Sequence, residues 1–376
     1  KDRYGNAIRE QMFAFDALDN ITEVYTLFAD GSRDEIGRFF AGDDDPCQLV
    51  RITHRHPHYP QSIDLDYDED GNLLHDENGQ VLSYDSQGRL LRVSDSSGKI
   101  VSQYRYDAHH HLLGVTRESQ AETLRFYDDD SLTRTEQGDK KIHFLSVADQ
   151  PLGQQQQDAP EQTLLLMTDA KNSVLAESSQ DELRKAVYGA YGERRPEDDL
   201  QCLLGFNGEV RDELSGWYLL GRGYRAYNPA LMCFHSPDSL SPFDAGGINP
   251  YMYTAGDPIN FVDPTGHANR GVNWLGALGS VLSLIGIGLS IAAVVIAPPV
   301  GALAITMTAG FTLLGVGLGA YTFVQGIQAT TATRLRDRDK NALSSSIGGG
   351  VDVAFGLFTV WRLAAAAAKA TAAAAE

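Results

Sequence analysis

The sequence predicts a mainly β body followed by an α-helical hydrophobic tail. Two observations carry that division. Short units of aromatic, Asp and Gly recur at hairpin spacing through the first two thirds of the chain, whereas residues 271–333 hold no charged side chain. The charge balance divides at the same place. The formal net charge is -19, yet from residue 268 onward there are seven Lys/Arg against four Asp/Glu, leaving 24 against 46 before it. An acidic body argues against a nucleic-acid partner, because phosphate binding needs a basic surface. Three cysteines, Cys47, Cys202 and Cys233, show no metal spacing and cannot all pair, so no disulfide framework is expected.

The opening Lys1-Asp2-Arg3-Tyr4-Gly5-Asn6 has no basic n-region or apolar h-region and already reads as a turn within a repeat. The chain is therefore expected to be the C-terminal portion of something longer. Clear copies of the unit follow at Tyr67-Asp68 to Gly71 and Leu73, at Tyr84-Asp85 to Gly88 and Leu90, and at Tyr106-Asp107 to Leu112. Weaker copies start at Phe15-Asp16, Asp76, Asp95 and Tyr127-Asp128. In each, the aromatic ends a strand, Asp offers a side-chain acceptor to a tight turn, Gly supplies positive φ, and the aliphatic begins the return strand. A spacing of about twenty residues between strong copies fits one hairpin per repeat, as in solenoids and wound sheets.

These tyrosine-aspartate units resemble those of Rhs proteins and the C-components of Tc toxins. The resemblance strengthens through Thr168-Asp169-Ala170-Lys171-Asn172-Ser173-Val174, where Asn172 stands for the usual Gly, and Tyr188-Gly189-Ala190-Tyr191-Gly192-Glu193. It becomes almost continuous from Phe206-Asn207-Gly208-Glu209 through Arg222-Gly223-Tyr224-Arg225, Ser236-Pro237-Asp238 and Asn249-Pro250-Tyr251 to Asp263-Pro264-Thr265-Gly266-His267. It implies a β-hairpin ribbon wound into a hollow cocoon, with repeats over residues 1–160, a core over 161–267 and a variable toxin segment over 268–376. It also implies self-cleavage just after the Asp-Pro-Thr-Gly element, near His267-Ala268, with Asp238 and Asp263 as the catalytic carboxylates.

The chemistry suits that role. Two carboxylates held together do not both ionise easily, so one can keep a proton as general acid while the other activates water or polarises the amide. An attached peptide is presented at high effective molarity, which replaces substrate affinity. The alternative is that both aspartates merely cap loops, which is what Asp-Pro pairs usually do. One departure matters. Related cores carry Arg before the Phe where this chain has Cys233-Phe234, so Arg225 or Arg222 is expected to steer the carboxylates instead.

His54, His56 and His58 alternate as they would on one strand face, a possible metal platform, but Pro57 between them favours a polar loop. His109, His110 and His111 fall in a repeat turn. No P-loop, dinucleotide fingerprint, nucleophile elbow or zinc-protease helix is present, and neither metal nor cofactor is expected.

Beyond His267 hairpin periodicity gives way to long apolar helices. Residues 274–297, headed by Trp274 and centred near Gly286, are long enough to cross a bilayer, as are residues 300–330. Pro298-Pro299 breaks between them, Gly315 and Gly319 offer a close-packing face, and Arg270 and Arg334 to Lys340 make both ends of the hairpin basic. A buried soluble hairpin is the alternative. The resulting expectation is a secreted toxin whose shell releases a membrane-inserting, pore-forming tail into a target-cell membrane. The resemblance adds a type VI secretion apparatus or Tc toxin components, and an immunity protein, as partners. Two rivals stay open: an enzymatic toxin whose catalytic part follows residue 376, with the hairpin for translocation, and a non-enzymatic surface or adhesion protein.

Overall fold

The computed structural model describes residues 2, 4–42, 45–128, 131–147, 150–179, 182–195, 198, 200–243 and 246–271. The expected helical tail, with Trp274, Gly286, Gly315 and Gly319, lies outside the described residues.

The repeated unit is a single turn used again and again. At Asp2, Asp16, Asp68, Asp76, Asp85, Asp95, Asp107 and Asp169, one carboxylate oxygen accepts the backbone N–H groups two and four residues on. The residue three positions on has positive φ every time, Gly at five of these turns and Asp19, His110 and Asn172 at the others. A type I turn closed by a left-handed residue matches the right-handed twist of the flanking strands, which is why the unit propagates a sheet. Asp85→Ala removes the acceptor for two turn N–H groups and an Arg89 partner. It is expected to cost about 1–2 kcal/mol of stability in chemical denaturation.

The turns link two antiparallel meanders. The first has five strands, from Ile8–Phe15 through Ile21–Phe28, Arg33–Phe40 and Leu49–Thr53 to Ser62–Asp64. The second has eleven, each paired with its sequence neighbours, from Val81–Tyr84 to Glu182–Lys185. Single bridges at Tyr67 to Leu73 and His75 to Val81 carry the pattern from one to the other. Alternation is evident in Ile21–Phe28, where Ile21, Val24, Thr26 and Phe28 are buried. A hairpin ribbon is thus the observed architecture, as the repeats predict.

Residues 217–253 supply what the two meanders pack against. Leu49, Ile52 and Ile63 of the first and Leu82, Leu90, Val93, Leu112 and Val115 of the second share one cluster with Trp217, Leu219 and Leu231. Each such fully buried side chain stabilises the fold by roughly 1.5–3 kcal/mol. Hydrogen bonds between residues far apart in sequence fix the register. Arg38 Nη2 donates to the Leu231 carbonyl at 2.8 Å, Asn249 Nδ2 to Asn20 Oδ1 at 2.7 Å, and the Tyr251 hydroxyl to the Gly71 carbonyl at 2.9 Å.

His235 lies within this packing, fully buried with its ring edge-on to Trp217 at 4.4 Å. Burial pushes its imidazole down to about 3. A folded value below the unfolded one means the neutral ring is favoured by folding, so this stability is present above about pH 6.5 and is lost as pH falls toward 3. Between pH 7 and pH 5 the loss should reach about 2 kcal/mol, and His235→Leu should remove it from the pH profile of urea unfolding.

The histidine alternation resolves as a loop. The strand Leu49–Thr53 ends before it, His54 Nδ1 lies 2.7 Å from Asp34 Oδ2, and His56 turns inward and is buried. Among the described residues no group of three or more His, Cys, Asp or Glu is arranged to hold a metal ion. Likewise, no described helix is long and apolar enough to cross a membrane.

Candidate active site

Three short elements deliver the expected residues to one place. Arg225 opens the strand Arg225–Asn228, all four residues of which are buried. Asp238 follows the neighbouring strand Cys233–Phe234, and its N–H is tied to the Pro250 carbonyl at 3.0 Å. Asp263 begins the loop that joins the paired strands Phe261–Val262 and Arg270–Gly271, so the expected cut lies within the same hairpin loop as one of the two carboxylates.

The Arg225 guanidinium is the centre of the arrangement. Its Nη2 lies 3.0 Å from Asp238 Oδ2 and 3.7 Å from Asp263 Oδ2, and its Nη1 donates to the Pro250 carbonyl at 2.9 Å. Its Nε donates to the carbonyl of Gly266, the residue before His267. The ring of Phe234 supports the guanidinium at 3.7 Å. Arg225, Asp238 and Asp263 are 3%, 5% and 4% exposed, so their interaction is little screened by solvent.

Asp263 occupies the turn position of the repeats. Gly266, three residues on, has φ of 70°, and the N–H of His267, four on, donates to Asp263 Oδ1 at 3.1 Å. The N–H of Ala268 reaches the same oxygen, also at 3.1 Å. Its titration departs from the repeat pattern. At Asp16, Asp85 and Asp107 a desolvation push upward is outweighed by the summed turn hydrogen bonds, and the carboxyl sits below its usual value. At Asp263 burial wins over the pull of Arg225 and the two N–H donors, and the value is raised. Asp238 goes the other way, because the His267 hydrogen bond and the Arg225 charge overcome its burial. The two carboxyls are thus shifted in opposite directions, the kind of divergence that acid and base work draws on.

Of the two residues expected to steer the pair, Arg225 is the one that lies beside both carboxylates. Arg222 sits in the tight turn Leu220–Gly223 with positive φ and lines the surface hollow next to His267. Cys233 is buried beside Arg38 rather than at the carboxylates, and burial pushes its thiol up to about 11. Asp257 accepts hydrogen bonds from Asn260 and closes a turn.

The side chain of His267 was not anticipated beyond its place at the cut. Its Nδ1 lies 2.6 Å from Asp238 Oδ1, and its ring packs on Tyr224 at 4.0 Å. A cavity of about 50 Å³ adjoins Arg225, Asp238, Asp263, His267 and Asn269, which is room for ordered water. The sequence carried one signal for this, a titratable residue immediately before the expected cut.

The Teneurin YD-shell family model matches residues 59–259, more than half of the chain. The chain belongs to the teneurin YD-shell family. Within this YD shell, two curated relatives are similar at low identity. The "Probable deoxyribonuclease RhsA" of Dickeya dadantii is 26% identical over 302 residues, 72% of this chain and 20% of its own length. The "tRNA3(Ser)-specific nuclease WapA" of Bacillus spizizenii is 26% identical over 264 residues, 68% of this chain and 10% of its own. The chain therefore spans a fifth or less of either relative. Among solved structures, TcdB2-TccC3 without its hypervariable C-terminal region matches with a TM-score of 0.46 at 16% identity, over 69% of this chain and 15% of that one. The Tc holotoxin pore of Photorhabdus luminescens matches with a TM-score of 0.49 at 14% identity, over 71% and 16%.

Proposed function

We propose that this YD shell belongs to a secreted toxin that cuts itself between His267 and Ala268 and so separates a shell from the cargo that follows it. The observation that carries the reading is the grip on the bond itself: the N–H groups of His267 and Ala268 both donate to Asp263, whose carboxyl burial holds above its usual value. A carboxyl that close to the Ala268 nitrogen is suited to hand it a proton as the C–N bond breaks. Asp238, ionised against Arg225, activates water or orients the group that does. In this reading the shell comprises repeats over 1–160 and a core over 161–267, and the cargo is residues 268–376. The intact mass of the purified chain tests this. Two fragments that copurify in mild buffer and part in denaturant are expected, and a single uncut mass would remove the reading.

The charge-free stretch 271–333 favours a membrane-inserting, pore-forming cargo directed at a target-cell membrane. Delivery by a type VI secretion apparatus or with Tc toxin components, and protection by an immunity protein, fit the same reading. The second reading is an enzymatic cargo, and here the names of both curated relatives bear against the expected absence of a nucleic-acid partner. The shares matched leave room for residues 272–376 to be wholly unmatched, so nuclease activity stays with those proteins. A peptide of residues 268–376 that dissipates an ion gradient across vesicles supports the pore. Intact vesicles under all lipid compositions and potentials would hand the cargo to the enzymatic reading.

A further inference from the structure

We propose that His267 supplies the base for the cut at its own carbonyl, with Asp238 as the residue that orients its ring. The proposal rests on the self-cleavage reading above and names the group that reading leaves open. Asp238 is poorly disposed to take a proton from water. Its Oδ1 already accepts from His267 Nδ1 at 2.6 Å and from the Leu240 N–H at 2.9 Å, and its Oδ2 faces Arg225 Nη2 at 3.0 Å. Three of its four acceptor sites are thus taken, two of them by His267 and the Arg225 guanidinium, which leaves it the more committed of the two groups.

The imidazole has the opposite arrangement. Nδ1 is committed to Asp238, which fixes the tautomer in which Nε2 carries the free lone pair. Nε2 has no hydrogen bond among the described residues. His267 lines both the 50 Å³ cavity beside the carboxylates and an open hollow of about 490 Å³, so water has room on either side of it. Tyr224 packs on one face and limits its rotation.

The step balances without any further reactant. A water oxygen bonds to the His267 carbonyl carbon while Nε2 takes a water proton. The C–N bond to Ala268 then breaks, and the proton on Asp263 passes to the Ala268 nitrogen. The products are a carboxyl group at His267 and an amine at Ala268, and the imidazolium returns its proton to solvent.

Chemical rescue of the full chain tests the assignment. His267→Ala should be recovered uncut, its rate lowered by about 10²–10⁴-fold, the usual contribution of a general base. Added imidazole, entering through the open hollow, should restore cutting in proportion to its concentration. His267→Asn keeps a donor for Asp238 but offers no base, and it should stay uncut. Three results overturn the proposal: His267→Ala cutting at the wild-type rate without imidazole, His267→Asn cutting at that rate, or a His267→Ala chain of wild-type melting temperature that imidazole never rescues. If His267→Ala fails to fold, the Asn variant decides alone. An uncut wild-type chain is a different failure, since it removes the self-cleavage reading itself.

Discussion

Asp263→Asn is expected to leave the chain in one piece, while the wild type separates into two fragments in denaturant. The substitution is selective because an asparagine oxygen still accepts the N–H groups of His267 and Ala268, and the Gly266 turn needs no carboxyl proton. What disappears is the acidic proton beside the Ala268 nitrogen, and a drop of about 10²–10⁴-fold in cutting follows from losing a general acid. Stability should move little, or upward at neutral pH. The raised Asp263 value means that its contribution is fully present below the unfolded value near 3.8 and declines as pH rises through the folded one. A neutral amide does not suffer that decline. An Asp263→Asn chain that is cut at the wild-type rate excludes Asp263 as the acid.

Arg225→Met should be the most damaging single change. It removes the partner of two buried carboxylates together with the donors to the Gly266 and Pro250 carbonyls. Breaking a buried ion pair from one side typically costs about 3–5 kcal/mol, because the remaining charge is left without compensation. Cutting should be lost as well. The triple change Arg225→Met with Asp238→Asn and Asp263→Asn separates the two effects, since with neither carboxylate left to compensate it should recover much of the melting temperature while staying uncut. If Arg225→Met alone unfolds no more easily than the wild type, the guanidinium is not what holds the pair.

Much of this was legible in the sequence, for a physical reason. The turn needs an acceptor at one position and a positive φ three residues later, and few residue types meet both demands. Asp68 with Gly71 or Asp85 with Gly88 therefore announces a hairpin without any knowledge of the rest. Asp263 and Asp238 were legible as a pair only through the resemblance, because by local pattern Asp263 is one more turn aspartate with its glycine at Gly266. Whether such a residue caps a loop or does chemistry is decided by burial, and burial depends on Arg225, which is 38 residues away, and on the packing of Phe234 beneath it. The choice between Arg222 and Arg225 stayed open for the same reason. Strand direction sends Arg225 inward, whereas the positive φ at Arg222 belongs to a turn that carries it to the surface hollow. His267 was readable as a place but not as a participant, since its partner Asp238 comes from a different hairpin.

The long-range hydrogen bonds have a consequence in time. Every meander strand pairs with its immediate neighbour, so the sheets can assemble as the chain emerges, with short loops to close. The segment around Arg225 also has local pairings, Arg225–Asn228 with Tyr218–Leu219 and Cys233–Phe234, but its seat on the meanders depends on distant contacts. It is anchored through Leu231 to Arg38, Asn249 to Asn20 and Tyr251 to Gly71, and these contacts reward the chain only after both sheets stand. Arg225 and Asp238 are thus oriented late, and Asp263 arrives last of all. The proposed cut at His267 would then have to wait until the sheets its residues rest on have formed.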